Sequence, residues 1–127
     1  MSRRALQILT GLLGAIPVVT GIIGMSGLSD PLYASARLPH SILLDSNLRF
    51  FGGVWLGLGI AMYSTIRDID KKTPLFRVLW GMIFIGGIGR LISMLIVALP
   101  PTPFIGFTLL EIVGAPTMIF WQARLAK

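Results

Sequence analysis

Four stretches of the chain are apolar over almost their whole length, and the polar residues gather between them. Residues 5–29 carry no charge, and residues 50–66 are uncharged between Arg49 and Arg67. Residues 78–99 are broken only by Arg90, and residues 104–123 only by Glu111. A helix rising 1.5 Å per residue needs about 20 residues to cross a hydrocarbon core of about 30 Å. Three stretches reach that length, and 50–66, at about 25 Å, falls slightly short. The pattern predicts helices over 5–28, 46–66, 74–99 and 103–123 in a single transmembrane domain, 1–127. The links are a longer polar segment over 30–47, a charged loop over 67–77, and the tight turn Pro100-Pro101-Thr102-Pro103. Short links between spanning helices imply an all-α, up-down-up-down four-helix bundle.

Local signals refine the ends. Asp30-Pro31 reads as an N-cap followed by proline at the first helical position, predicting a short interfacial helix to about Leu38. Thr73-Pro74 gives the same signal for the third span. Pro17 and Pro116 fall inside the first and last spans, where kinks are expected. The first apolar run is longer than the 7–15 residues of an export-signal core, so it is read as a retained helix.

Composition agrees with a membrane class. Hydrophobic residues make up 54% of the chain and charged residues 13%, against about 25% in a soluble domain. That is too little charge for an ordinary water-facing surface, which argues against a soluble enzyme or a disordered tail. With no cysteine, disulfides, thiol catalysis and Cys-ligated metal are excluded. The net charge of +6 would ordinarily raise the question of nucleic acid, but its placement argues against that. Eight of the eleven Lys and Arg residues (Arg3, Arg4, Arg67, Lys71, Lys72, Arg77, Arg124 and Lys127) fall on one side of the predicted topology. Only Arg37 and Arg49 fall on the other side. The positive-inside rule then places both termini in the cytoplasm. Tyr63, Trp80 and Trp121 lie near the cytoplasmic ends, as an interfacial aromatic belt should.

The candidate chemistry is a polar cluster: Arg49, Arg90 and Glu111, with Asn47 and Asp45 just above Arg49. Arg90 lies about 13 Å down the third span from Leu99, and Glu111 about 12 Å down the fourth from Pro103. Adjacent antiparallel helices joined by a tight turn should bring the two to one depth. Small residues flank each charge and predict close helix packing: Gly86 and Gly87 beside Arg90, Gly114 beside Glu111, and Gly53 and Gly57 after Arg49. All three charges should therefore face the bundle interior. Two readings stay open. Glu111 neutralises Arg90 as a structural clamp, or the surplus positive charge of Arg49 and Arg90 holds an anionic head group or small molecule. His40 is the only histidine and lies in a loop, so no metal site is read. Gly57-Leu58-Gly59 lacks the third glycine and the strand of a dinucleotide loop, and no cofactor is expected.

Leu48-Arg49-Phe50-Phe51-Gly52-Gly53, then Gly86-Gly87-Ile88-Gly89-Arg90, then Glu111 and Pro116, resemble a family of small four-helix bacterial inner-membrane proteins. That family is grouped only as a domain of unknown function. The resemblance runs from about Leu44 to Trp121 and implies Arg49, Phe50, Arg90 and Glu111 as the positions of interest. It also implies a bacterial cytoplasmic membrane and a part in envelope integrity. The expectation is a non-enzymatic protein that supports the envelope through membrane lipids, an anionic lipid or small-molecule ligand, a second copy of itself or a membrane-protein partner, and does not bind nucleic acid. A small transporter is the alternative. A lipid-modifying enzyme would need a nucleophile–base pair that the sequence does not offer.

Overall fold

The computed structural model describes residues 2–126. Lys127, one of the eight basic residues assigned to the inner side, lies outside the described residues. Among the described residues helix is the only regular structure, with no strand. It divides into two compact units. One is Ile8–Ile66, and the other is the remainder of the chain.

The first unit contains most of helix α1 (Arg3–Gly24), two short 3-10 stretches (Gly27–Ser29 and Pro31–Ala36) and helix α2 (Ile42–Ile66). α1 continues through Pro17, whose ring lies against Gly59 of α2. The two helices approach most closely where Gly21 and Gly24 face Gly52, and where Gly59 faces Val18. A side chain at any of these positions would meet the opposite helix. Trp55 Nε1 donates to Thr20 Oγ1 at 2.8 Å, and the Tyr63 hydroxyl donates to the Gly11 carbonyl at 2.8 Å. Small residues thus let the backbones close, and polar side chains satisfy the groups brought together.

The glycine pattern predicted Gly53 and Gly57 as the packing seam of this helix. A Cβ at either would meet nothing within 4 Å, so the close face lies one residue away, at Gly52. One residue turns a helix by about 100°, so a Gly-Gly doublet alone does not say which member faces the partner.

α1 ends four residues earlier than expected, because Gly27 turns the chain with φ +64. Asp30 then caps the second 3-10 stretch as predicted, its carboxylate accepting from Leu32 N at 2.8 Å. Arg37, at φ 45, closes that stretch. α2 begins at Ile42 rather than near residue 46. Ser41 supplies the missed start signal, its hydroxyl accepting from Leu44 N at 3.3 Å.

The second unit holds α3 (Thr73–Ile96), α4 (Thr102–Leu109), a π-helical turn (Leu110–Gly114) and α5 (Ala115–Leu125). Arg3 fastens the start of α1 to the loop before α3, pairing with Asp70 at 3.0 Å and donating to the Arg67 carbonyl at 2.9 Å. Phe76 and Trp80 are buried, with ring centroids 5.9 Å apart. Trp80 is therefore part of the packing and not of the expected interfacial belt.

Pro116 produces a widened turn in place of a simple kink. It has no N–H to offer, and its ring would crowd the carbonyl four residues back. The Ala115 N–H bonds instead to the Leu110 carbonyl, five residues back. The resulting π-turn contains Glu111. Such turns occur often at functional sites.

Three helical segments are long and apolar enough to cross a membrane: Arg3–Gly24, Thr73–Ile96 and the run from Thr102 to Leu125. α2 carries Asp45, Asn47 and Arg49 within its first two turns, before its uncharged stretch 50–66.

Candidate functional site

Arg90 and Glu111 meet as the depth argument predicts. α3 carries Arg90 and the π-turn carries Glu111, with Arg90 Nε 3.0 Å from Glu111 Oε2 and donating to Oε1 at 3.2 Å. Glycine makes the approach possible. A Cβ on Gly87 would lie 2.6 Å from the Glu111 Cβ, so only glycine lets this turn of α3 come so near. Gly86 faces open space and Gly114 makes only ordinary contact within its own turn. Of the three small residues expected to pack around this pair, Gly87 alone provides the close approach.

The two partners are unequally enclosed. The Glu111 side chain is 8% exposed and that of Arg90 is 39% exposed. The Phe104 ring, from the start of α4, lies under the guanidinium with its centroid 5.6 Å from Cζ. Glu111 engages only Nε. Among the described residues no hydrogen-bond partner takes the N–H groups on Nη1 and Nη2. The carboxylate thus holds one edge of a five-donor fork and leaves the opposite edge unused.

Arg49 is satisfied within the first unit. Its Nε donates to Asp45 Oδ2 at 2.7 Å and its Nη1 donates to the Met25 carbonyl at 2.8 Å. Asp45 Oδ1 also accepts from the Leu28 N–H at 3.0 Å. The surplus positive charge expected of Arg49 is therefore balanced by Asp45, four residues before it on α2. Asn47 is exposed and takes part in neither ion pair. Leu28, Ser29, His40, Ser41, Ile42, Asp45 and Arg49 border an open cleft of about 340 Å³ beside this knot. Among the described residues no group of His, Asp and Glu side chains could hold a metal ion.

Two tests of the knot follow. A Cβ on Gly27 would collide with the Asp45 carboxylate, and its φ of +64 is costly for any L side chain. Gly27→Ala is expected to destabilise the protein by at least about 1–2 kcal/mol, read as a lower unfolding temperature in detergent. The second test is titration. The Arg49 bond, and after it the Leu28 amide, hold the Asp45 carboxyl below the usual carboxylate range. A depressed folded-state pKa gives stability that is present above the unfolded value and lost as pH falls through the folded one. The Leu28 amide resonance should therefore shift with a midpoint below that of an ordinary aspartate. A midpoint at or above the ordinary value would mean that the knot does not form.

Sequence reasoning missed a second polar group, around Gln122. This fully buried side chain donates from Nε2 to the Ile69 carbonyl at 3.0 Å and to Thr73 Oγ1 at 2.7 Å. Its Oε1 lies 3.4 Å from the Arg77 Nε donor. The Thr73 hydroxyl, expected to cap α3, is engaged here and with the Asp70 carbonyl.

These features define an all-helical protein of membrane character with an ion pair set inside two of its apolar helical segments. The chain belongs to the family described as Domain of unknown function (DUF4345), whose model matches residues 5–122. No curated protein and no solved structure matches the chain. The match takes in the first helix as well as the region whose residues carry the resemblance.

Proposed function

We propose that this is a non-enzymatic protein of the bacterial inner membrane, crossing it four times with both termini in the cytoplasm. In this reading it supports the cell envelope by holding a lipid or protein partner at Arg90. One observation carries the proposal: a guanidinium inside an apolar helix is anchored through one nitrogen and presents its remaining donors to the surroundings. Ionisable groups within spanning helices are costly to insert, by roughly 2.5–3.5 kcal/mol each, and commonly mark working sites. A pure clamp would be expected to use the guanidinium bidentately, as strong Arg–carboxylate pairs do.

The orientation is supported by the bond from Arg3 to the Arg67 carbonyl, which joins two of the basic segments assigned to one side. α2 would cross with its uncharged residues 50–66, leaving the Asp45–Arg49 knot at the outer boundary. A reporter active only in the periplasm, fused after Lys127, should be silent. Strong activity would invert the topology.

The functional test is complementation. In a strain lacking the gene, the wild type should restore resistance to detergent and bile salts, whereas Arg90→Met/Glu111→Gln should not. Full restoration by that variant would reduce the pair to a clamp. Substrate-dependent flux in proteoliposomes would move the reading to transport.

A further inference from the structure

On the reading of Arg90–Glu111 as a working site, we infer that its ligand is the phosphodiester of an outer-leaflet phospholipid, bound by the free edge of Arg90. The planar fork of a guanidinium matches an oxyanion through two parallel N–H···O bonds. The donors on Nη1 and Nη2 are available for that geometry because Glu111 occupies only Nε. Left without partners in a low-dielectric setting, they would be costly. The Phe104 ring beneath Cζ helps hold the plane in place.

Three observations favour a lipid over a soluble anion. Arg90 lies six residues before Ile96, the last residue of α3, or about 9 Å along the axis, close enough for a long side chain to reach the head-group level. The residues beyond it on the same helix, Ile92, Leu95 and Ile96, are apolar and exposed, as acyl chains require and a free anion does not. Glu111 already balances the Arg90 charge, so a multiply charged soluble anion would meet a neutral pair beside a buried carboxylate. A singly charged phosphodiester adds the least repulsion.

The experiment uses the full chain, delipidated in dodecyl maltoside and titrated with dilauroylphosphatidylglycerol or with inorganic phosphate. Lipid adducts are read by native mass spectrometry and the unfolding temperature by thermal melts. The wild type should retain lipid adducts and melt higher with lipid, and inorganic phosphate at the same concentration should do neither. Arg90→Lys keeps the charge but loses the fork, and should weaken binding at least tenfold. Arg90→Met alone strands Glu111, so Arg90→Met/Glu111→Gln is the informative knockout, and it should lose the adduct while remaining folded. Unchanged lipid affinity in that double variant, or displacement of the lipid by equimolar inorganic phosphate, would overturn the assignment. If the double variant binds lipid normally but fails complementation, the site works with a different ligand. If it binds lipid normally and passes complementation, the pair is a clamp and both readings fall. If it loses the adduct and still passes, the lipid assignment stands and the envelope role falls.

Discussion

Replacing Arg90 by Met alone, or Glu111 by Gln alone, should destabilise the protein more than replacing both. Each single change breaks an ion pair in which Glu111 is almost wholly enclosed. By analogy with soluble interiors, removing one partner of a buried pair costs about 3–5 kcal/mol, because the survivor is left uncompensated. The effect should be asymmetric. Arg90→Met strands a carboxylate that is 8% exposed, whereas Glu111→Gln leaves a guanidinium that is 39% exposed and retains an amide oxygen as acceptor. Arg90→Met should therefore fall near the upper part of the range and Glu111→Gln below it. The double variant should recover most of the loss, read as midpoint of denaturation in detergent. Additive costs would mean that the two side chains do not interact. Stability that returns without envelope function would separate a working site from a clamp.

That pair was legible in the sequence because only two numbers were needed, the rise per residue and the length of the turn. Pro100 to Pro103 fixes the turn, and both charges lie nearly equally far from it. Depth does not depend on which way a helix is rotated about its axis. Contacts that depend on rotation were less legible. Gly52 and Gly53 are adjacent, as are Gly86 and Gly87, and in each case one glycine makes the close approach while its neighbour does not. Without the crossing angle, periodicity cannot choose between them.

Arg49 illustrates a different limit. Its partner Asp45 stands four residues earlier, a spacing at which helical side chains meet. The pair was not predicted because α2 was expected to begin near residue 46, which leaves Asp45 outside the helix. Ser41 was the available signal, and reading it as an N-cap would have restored the pair and removed the surplus charge from the site. The π-turn was legible only in part. Pro116 forecasts a disturbed helix, but whether the chain bends or widens depends on packing. Here Glu111 lies against Gly87 through that turn.

The Gln122 group was missed because a glutamine near the end of an apolar run reads as the point where a helix meets water. Its energetic importance comes from its contacts. The carboxamide joins α5 to the Ile69 carbonyl and to Thr73, the first residue of α3. Gln122→Leu keeps the volume roughly constant but deprives the Ile69 carbonyl and the Thr73 hydroxyl of their donor and Arg77 of its acceptor. Each buried polar group left unpaired costs about 1–3 kcal/mol, so Gln122→Leu should destabilise the second unit by about 2–4 kcal/mol. Gln122→Glu is the diagnostic control. The carboxylate can still accept from Arg77, but it cannot donate to the Ile69 carbonyl or to the Thr73 hydroxyl, whose proton is given to Asp70, and so brings oxygens together. It should be at least as damaging as leucine, despite sparing Arg77. Thr73→Val should cost less than either, since Nε2 keeps its bond to Ile69. Thermal melts of the three variants would establish the order. A Gln122→Leu protein as stable as the wild type would mean that this end of α5 is held by its buried apolar residues, such as Met118, and not by the amide.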